Sequence, residues 1–399
     1  MQTVYIVGSK SLGKYGGFET FVKRLVECHK DKDIKYIIAC KANGYGFEDE
    51  SALEGAKKIS EDKFTYCNAE CVKIHTPVLG PLQAVLYDSK AIRIFIKHIK
   101  QNKVEKPIVY ILACRLGFSV GRYARQIRRL GGKVYLNPDG HEWKRGKWPL
   151  PIKAYWKFSE QRMVKYSDLI VCDSLAIESY VRNEYAEYIP QTTYIAYGSD
   201  VTESLNPMPS IEYERWIKKN QLKQDDYYLL VGRFVPENNY ETIIREFMRS
   251  KTKKSLVIVT TYNEKFRASL DSKIHFSSDT RVKFVGTVYD PPLLREIRAN
   301  AFAYIHGHEV GGTNPSLLEA LGTTKLNLLY DVCFNREVGS DAALYWNKSE
   351  DNLSVLINKV EAYTLGEIDI LASKAKERIS KDYSWRLIAD KYEKLWLNR

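Results

Sequence analysis

What most constrains the fold of this 399-residue chain is an alternation that runs, stops and starts again. Short apolar, β-branched runs closed by turn residues are separated by stretches whose apolar residues recur at helical spacing. In the first half the strand-like runs are Thr3–Gly8, Lys35–Cys40, Cys71–His75, Ile108–Ala113, Lys133–Asn137, Leu169–Cys172 and Thr193–Ala196. Helical patterns follow the first run (Phe18, Phe21, Val22, Leu25, Val26) and cover Leu82–Lys100, Val120–Leu130, Pro151–Tyr166 and Ala176–Glu184. After Asn206-Pro-Met-Pro209 and a polar helix, strands restart at Tyr227–Gly232, Ser255–Thr260, Arg281–Phe284, Ala301–His306 and Lys325–Tyr330. Helices are expected there at Tyr240–Ser250, Pro291–Arg298, Ser316–Leu321, Asn352–Glu361 and Glu367–Ser380. Strands separated by helices return to one sheet as right-handed crossovers, so the pattern predicts two α/β units with parallel sheets, joined near residues 200–210. Ligands of such sheets bind outside the carboxyl ends of the strands, and two facing units leave an interdomain cleft.

Length and composition agree with two globular domains: apolar residues make up 44% and charged residues 28%, an ordinary balance that excludes a disordered or collagen-like chain. The longest apolar run, Ile108 to Cys114, stops at Arg115, far short of the ~18–20 residues of a membrane span. MQTVYIVGSK reads straight into a strand without the parts of a signal peptide, and seven scattered cysteines argue against a disulfide framework. A cytoplasmic protein is expected. The net charge of +12 is uneven: residues 1–200 hold 32 Lys+Arg against 22 Asp+Glu, and residues 201–399 hold 29 against 27. A basic first half calls for an anionic partner, whether nucleic acid, phosphorylated substrate or membrane surface.

Four loops at strand ends carry the residue types of a binding site. Gly13-Lys-Tyr-Gly16-Gly17-Phe-Glu-Thr lies between the first strand and helix, where glycines let the backbone approach a ligand and helix amides face an anion. Its spacing is neither the dinucleotide GxGxxG nor a Walker loop, and a plain turn with Glu19 as dipole partner also fits. In Asn137-Pro-Asp139-Gly-His141-Glu142-Trp143, three polar side chains suit hydroxyl or oxyanion recognition, though a loop histidine is more often inert. In Val231-Gly232-Arg233-Phe-Val-Pro-Glu237-Asn238-Asn239, Arg233 can fork onto phosphate oxygens; the plainer reading pairs it with Glu237. The most telling run is His306-Gly-His-Glu309-Val-Gly311-Gly312-Thr313-Asn314-Pro-Ser316-Leu-Leu-Glu319. A strand breaks into Gly-Gly-Thr-Asn and proline opens a helix, so free amides and the positive helix end face a diphosphate. Glu319, one turn in, suits ribose hydroxyls, whereas a simple helix cap leaves the paired glycines unexplained. Asp31-Lys-Asp33 sits in a charged loop that no strand feeds, and Cys67-x-x-x-Cys71 lacks a matching His or Cys pair, so neither is read as a metal site.

With these segments in order, the chain resembles the family-4 glycosyltransferases, two-domain Rossmann-like enzymes of the B fold. The likeness extends to the crossover Tyr194-Ile-Ala-Tyr-Gly198-Ser-Asp200 and to Tyr383-Ser-Trp385…Tyr392…Leu395, which looks like the closing helix that packs on the N-terminal domain. More narrowly, Gly-Gly-Phe-Glu-Thr, Asn-Pro-Asp-Gly-His-Glu-Trp-Lys-Arg and Gly-Gly-Thr-Asn-Pro-Ser-Leu-Leu-Glu-Ala resemble bacterial polysaccharide rhamnosyltransferases. The resemblance implies an α/β protein of two facing Rossmann-like domains with an interdomain cleft. Residues 1–200, joined by a C-terminal helix at 382–399, would form the acceptor side, and residues 205–381 the nucleotide-sugar side. It implies retaining transfer of L-rhamnose from dTDP-rhamnose to a polyprenyl-diphosphate-linked saccharide, at the inner face of the cell membrane, without metal or cofactor.

By position, His141 matches the family's histidine near the donor sugar, with Asp139 beside it, and Arg233 matches its diphosphate arginine. Gly16 and Gly17 would approach the donor diphosphate or the acceptor, the Gly311, Gly312, Thr313 and Asn314 loop the diphosphate, and Glu319 the ribose. Glu19, Glu142 and Trp143 fall on the acceptor side. Two positions depart from the pattern: Asn238, still expected among the donor-binding residues, stands at the usual lysine, and Gly311 at the first glutamate of the Glu-x7-Glu pair, with Glu309 two residues early. A 6-deoxy donor is compatible with that loss. A nucleotide-sugar epimerase of similar build would want a paired acid and base, for which only Asp139, His141 and Glu142 offer themselves. An RNA-binding protein fits the charge, but no RNP, KH or zinc-knuckle signature is present, so no nucleic-acid partner is expected. Finally, Trp143 to Phe158 interleaves three tryptophans, Tyr155 and Phe158 with five basic residues, which predicts docking on an anionic membrane. The competing reading makes Trp156 and Phe158 core residues of a helix.

Overall fold

A computed structural model describes residues 1–14, 16–201 and 209–399; Asn206, Pro207 and Met208 of the expected linker, and Tyr15 of the glycine loop, lie outside the described residues. The chain forms two compact units, one of residues Met1–Lys144, Trp148–Gly198 and Trp385–Arg399, the other of Arg145–Lys147 and Ser199–Ser384.

The first unit runs β1 (Gln2–Val7), α1 (Gly17–Cys28), β2 (Ile34–Lys41), β3 (Lys57–Ser60), β4 (Lys63–Tyr66), β5 (Ala69–Ile74) and α2 (Leu82–Gln101). It continues with β6 (Ile108–Leu112), α3 (Val120–Arg129), β7 (Lys133–Asn137), α4 (Leu150–Tyr166), β8 (Leu169–Cys172), α5 (Leu175–Glu184) and β9 (Thr192–Tyr194). Its sheet has the order β3-β4-β5-β2-β1-β6-β7-β8-β9. Every pairing is parallel except those of the β3–β4–β5 edge. Alternate side chains of each strand point to opposite faces. Tyr5, Val7, Ile37 and Ala39 meet Phe95 and Ile92 of α2, Ile127 of α3, Met163 of α4 and Ile177 of α5. On the other face α1 buries Phe21, Val22, Leu25 and Val26, the stripe expected from its spacing.

The second unit runs α6 (Ile211–Lys219), β10 (Tyr227–Val231), α7 (Tyr240–Arg249), β11 (Ser255–Val259), α8 (Glu264–Ile274), β12 (Val282–Gly286) and α9 (Pro291–Ala299). Then come β13 (Ala303–His306), α10 (Pro315–Leu321), β14 (Leu326–Tyr330), α11 (Cys333–Gly339), β15 (Leu344–Trp346), α12 (Asn352–Val360) and α13 (Leu365–Asp382). The sheet is all parallel, in the order β12-β11-β10-β13-β14-β15. Tyr228, Leu230 and Ile258 pack on α7 and α12, and Tyr227, Leu229 and Val257 on α6 and α9. The chain then returns to the first unit as α14 (Trp385–Leu397), where Tyr392 Oη meets Tyr110 Oη at 3.0 Å and Trp396 Nε1 donates to Tyr36 Oη at 3.1 Å.

In both sheets the strand order reverses beside the first strand, between β1 and β6 and between β10 and β13. Loops leaving the carboxyl ends of such a pair diverge, which opens a crevice there. All four loops singled out in the sequence leave carboxyl strand ends: those after β1 and β7 in the first unit, and after β10 and β13 in the second.

Candidate functional site

In the second unit, Val231 ends β10 and the Gly232 carbonyl is gripped from two sides, by Tyr240 Oη at 3.0 Å and Thr260 Oγ1 at 2.6 Å. This fixes the place from which the exposed Arg233 leaves the sheet. Asn238 Nδ2 donates to the Arg233 carbonyl at 2.7 Å, and Asn238 Oδ1 faces His308 Nδ1 at 2.9 Å. The Asn238 side chain, expected to face a ligand, thus ties the β10 loop to the β13 loop. Neither carboxylate oxygen of the buried Glu237 has a hydrogen-bond partner, and no ion pair joins it to Arg233. The pairing weighed for Arg233 is not formed.

The two loops are stitched further. Asn239 Nδ2 donates to the Gly307 carbonyl at 2.8 Å and to Glu309 Oε2 at 3.0 Å, and Glu309 also pairs with Lys348. Gly307 passes so close to β10's loop that a Cβ there would sit 2.2 Å from the Asn238 carbonyl oxygen. Glycine is required at that position. Glu309, the carboxylate nearest to the departed glutamate position, is therefore held within the protein.

At the start of α10 the Asn314 side chain caps the helix, accepting from Ser316 N at 2.9 Å. That amide is thereby taken, and the loop before the cap, Gly311 to Thr313, is buried at the carboxyl end of β13. Behind it, Arg298, almost fully buried, forms an ion pair with Glu319 at 2.7 Å and donates to Ser316 Oγ at 3.2 Å. Arg298 had no sequence signal, because it lies on α9, far from the motif it supports.

The crevice of the first unit is more self-contained than its glycines suggest. A buried carboxylate, Glu48, accepts from the backbone amides of Leu12 and, at 3.3 Å, Gly13. Burial pushes its pKa up, and those two amides pull it down. Glu19 folds back to accept from Lys10 N at 3.1 Å, and a Cβ at Gly16 would sit 2.1 Å from Glu19 Oε2. A side chain at Gly16 would push the folded-back Glu19 carboxylate aside, whereas Gly17 has open space. At the reversal point Arg115 donates to Asp88 at 3.0 Å, to the Gly8 carbonyl at 3.2 Å and to the Leu112 carbonyl at 3.3 Å, locking β1 to β6. Sequence reasoning missed both Glu48 and Arg115; one acid of the Glu48-Asp49-Glu50 run after β2 and a lone arginine after β6 carry no local pattern.

Asp139 adopts left-handed backbone (φ 62°), its amide held at 2.9 Å by Asn137 Oδ1. His141 stands edge-on to Tyr180 (ring centroids 4.2 Å apart), and its buried Nε2 has no partner. Burial, then Lys144 and Lys157, lower its pKa to about 4, so the ring is neutral at pH 7. Trp143 lies under Lys157 Nζ at 4.8 Å, and Glu142 accepts from Trp148 Nε1 at 2.9 Å. The residues α4 buries, Ser159, Glu160, Met163 and Val164, all lie beyond the aromatic-basic stretch, and Phe158 remains 37% exposed. Trp156 is half-buried against Trp148, with ring centroids 6.4 Å apart. Phe118, 79% exposed, stacks on Tyr155 at 5.7 Å and meets Phe158 at 5.0 Å. The core reading of Phe158 is therefore wrong, and a ridge joined by Phe118 takes its place. Among the described residues no three His, Cys, Asp or Glu side chains group as a metal site, and no helix is long and apolar enough to cross a membrane.

The family described as Domain of unknown function (DUF1972) matches residues 1–200. No curated protein matches the chain. Among solved structures, a glycosyltransferase from Rickettsia africae is similar over 100% of this chain and 98% of that one, at 14% identity and TM-score 0.73. A sucrose-phosphate synthase from Thermosynechococcus elongatus is similar over 100% and 99%, at 14% identity and TM-score 0.70. The Anabaena protein HepE in complex with UDP is similar over 100% of both chains, at 14% identity and TM-score 0.69. At such identities the likeness is one of fold, the two-sheet α/β architecture called the glycosyltransferase B fold.

Proposed function

The chain belongs to the DUF1972 family, and from its B fold and the crevice of its second unit we propose that it is a glycosyltransferase. In this reading it moves L-rhamnose from dTDP-rhamnose onto a polyprenyl-diphosphate-linked saccharide in cell-surface polysaccharide synthesis, with retention and without a metal. The observation that carries it is the convergence, at one strand-order reversal, of Arg233 and the Gly311–Asn314 loop, with Glu319 braced by Arg298 behind. The fold neighbour HepE was solved in complex with UDP, which supports a nucleotide-linked donor.

The chemistry follows from charge. As the bond from the sugar's anomeric carbon to the diphosphate breaks, negative charge grows on the leaving oxygen while the sugar becomes oxocarbenium-like. Arg233 forks onto that diphosphate, and the amides of residues 311–313 point donors at it, so the field exists before the bond breaks. Glu319, fixed by Arg298, accepts from the ribose hydroxyls. The new bond forms from the acceptor hydroxyl on the same face, and its proton passes to the departing diphosphate. His141 is neutral, so it serves as a hydrogen-bond partner of the donor sugar, with Asp139 beside it, rather than as a cation. Gly16, Gly17, Glu19, Glu142 and Trp143 are assigned to the acceptor and diphosphate side.

Peripheral attachment at the inner face of the membrane belongs to the same reading. The Phe118–Phe158 ridge is exposed, as is Leu150 (81%) at the start of α4, and the same stretch of chain holds Lys144, Lys153 and Lys157. Apolar rings insert at headgroup level and lysines favour an acidic leaflet.

A thermal-shift panel of nucleotide sugars tests the proposal. A ligand bound only by the folded protein at a hundred times its Kd adds about 2.7 kcal/mol of stability. dTDP-rhamnose is expected to give the largest shift. A panel in which no nucleotide sugar shifts the transition overturns the proposal.

A further inference from the structure

The two departures from the glycosyltransferase pattern, Asn238 and Gly311, lie 73 positions apart in the sequence and meet at one side chain, His308. The residue is 8% exposed. Phe334 packs edge-on against it at 5.9 Å, and Asn335 Nδ2 holds its carbonyl at 3.0 Å. Its tautomer can be read from the network. Asn238 Nδ2 must donate to the Arg233 carbonyl, so Asn238 Oδ1 is the atom facing His308 Nδ1, and Nδ1 must carry the proton. Burial, with His306, Arg145 and Arg233 nearby, holds the pKa well below 6.5, so the ring is neutral. Nε2 is then a bare acceptor that takes no hydrogen bond within the protein and, unlike Nε2 of His306, is not sealed from the surface, although the residue as a whole is more than nine-tenths buried. A Cβ at Gly311 would lie 2.9 Å from Nε2, so glycine there keeps the space in front of this acceptor empty. Gly311 also sits at φ +145°, where a side chain is strained.

We propose that His308 Nε2 accepts a hydrogen bond from a hydroxyl of the donor's sugar, and so acts as a specificity-determining residue in the space vacated at position 311. The inference rests on the glycosyltransferase reading above. Asn238 sets the tautomer and Gly311 leaves the room, so the two departures form one arrangement. An acceptor without a proton of its own selects a sugar that presents a hydroxyl there and rejects a donor deoxygenated at that carbon. A donor deoxygenated there forfeits that hydrogen bond, which sets the expected discrimination at about tenfold.

The test compares dTDP with dTDP-L-rhamnose, and UDP with UDP-glucose, by titration calorimetry on the wild type and on His308→Phe. The variant is expected to bind each nucleoside diphosphate as the wild type does, and to bind the better nucleotide sugar about tenfold more weakly. Equal weakening of diphosphate and nucleotide sugar, or no weakening of either, overturns the inference while leaving the glycosyltransferase reading standing. Failure of the wild type to bind any of the four ligands overturns both. A second measurement needs no variant: in the ¹⁵N spectrum of the wild-type imidazoles, the unprotonated Nε2 of His308 should shift when the nucleotide sugar is added and stay in place with the diphosphate alone. An Nε2 resonance indifferent to the sugar contradicts the proposal.

Discussion

Trp396 gives the sharpest handle on how the chain end is used. It lies on α14, yet its indole is completely buried in the first unit, between Tyr110 (ring centroids 5.3 Å), Tyr135 (5.9 Å) and Tyr392 (5.4 Å). Its Nε1 donates to Tyr36 Oη, 360 positions earlier in the sequence. Trp396→Ala removes the ring from a packed site, which costs about 3–5 kcal/mol. It also leaves the buried Tyr36 hydroxyl without that donor, for about 1 kcal/mol more. The sum, about 4–6 kcal/mol, approaches the whole stability of an ordinary domain. Trp396→Phe keeps most of the ring and should lose only about 1–2 kcal/mol. Native-state hydrogen exchange resolves the outcome by unit. Protection of β1, β2 and β6 should fall by the full amount in Trp396→Ala, while β10, β11 and β13 keep theirs. A loss below about 1 kcal/mol in the first sheet, or an equal loss in both sheets, would refute the reasoning that α14 completes the first unit.

Acid should weaken both units, since His141 of the first is held at a pKa of about 4 by burial. Burial holds His306 near a pKa of about 3 and His308 well below its usual value, so below pH 6.5 the unfolded chain binds protons that the folded chain refuses. His306 and His141 should each cost about 2 kcal/mol between pH 7 and pH 5, and urea midpoints that do not fall over that range contradict it. Arg233→Ala should lower transfer by about 10²–10³ with folding intact, and wild-type turnover in that variant removes Arg233 from the chemistry. Transfer should persist in EDTA; activity abolished by the chelator and restored by Mg²⁺ or Mn²⁺ sinks the metal-free scheme. Co-sedimentation with liposomes should rise with anionic lipid, fall with salt, and drop for Phe118→Glu and for Trp148→Ala/Lys147→Glu, whereas indifference to all of these rules out the membrane-facing ridge.

The parallel core was legible because its strands are buried on both faces and so read as continuous apolar runs, as in β1, whose Val4 to Val7 are all buried. The β3–β4 hairpin was not legible: β3, Lys57–Ser60, is exposed throughout and shows no apolar face. Helix α8 escaped notice because Leu270 is the buried residue among its eleven, and α11 and β15 because seven and three residues are too few for a period. The candidate site shows the same division. Its loops were readable because neighbours in sequence share a strand end. The pairs Asn238–His308, Arg298–Glu319 and Glu48–Leu12 were not, because sheet order rather than sequence brings each together.

Mass spectrometry of the acceptor tests the central claim most directly. Purified protein is incubated with dTDP-L-rhamnose and a polyprenyl-diphosphate-linked saccharide, and both the lipid product and the released nucleotide are followed. The acceptor should gain one deoxyhexose for each dTDP released, with no free sugar formed and no turnover when the acceptor is omitted. Release of free sugar without acceptor, or an unmodified acceptor with every nucleotide sugar that the protein binds, would contradict the assignment of sugar transfer.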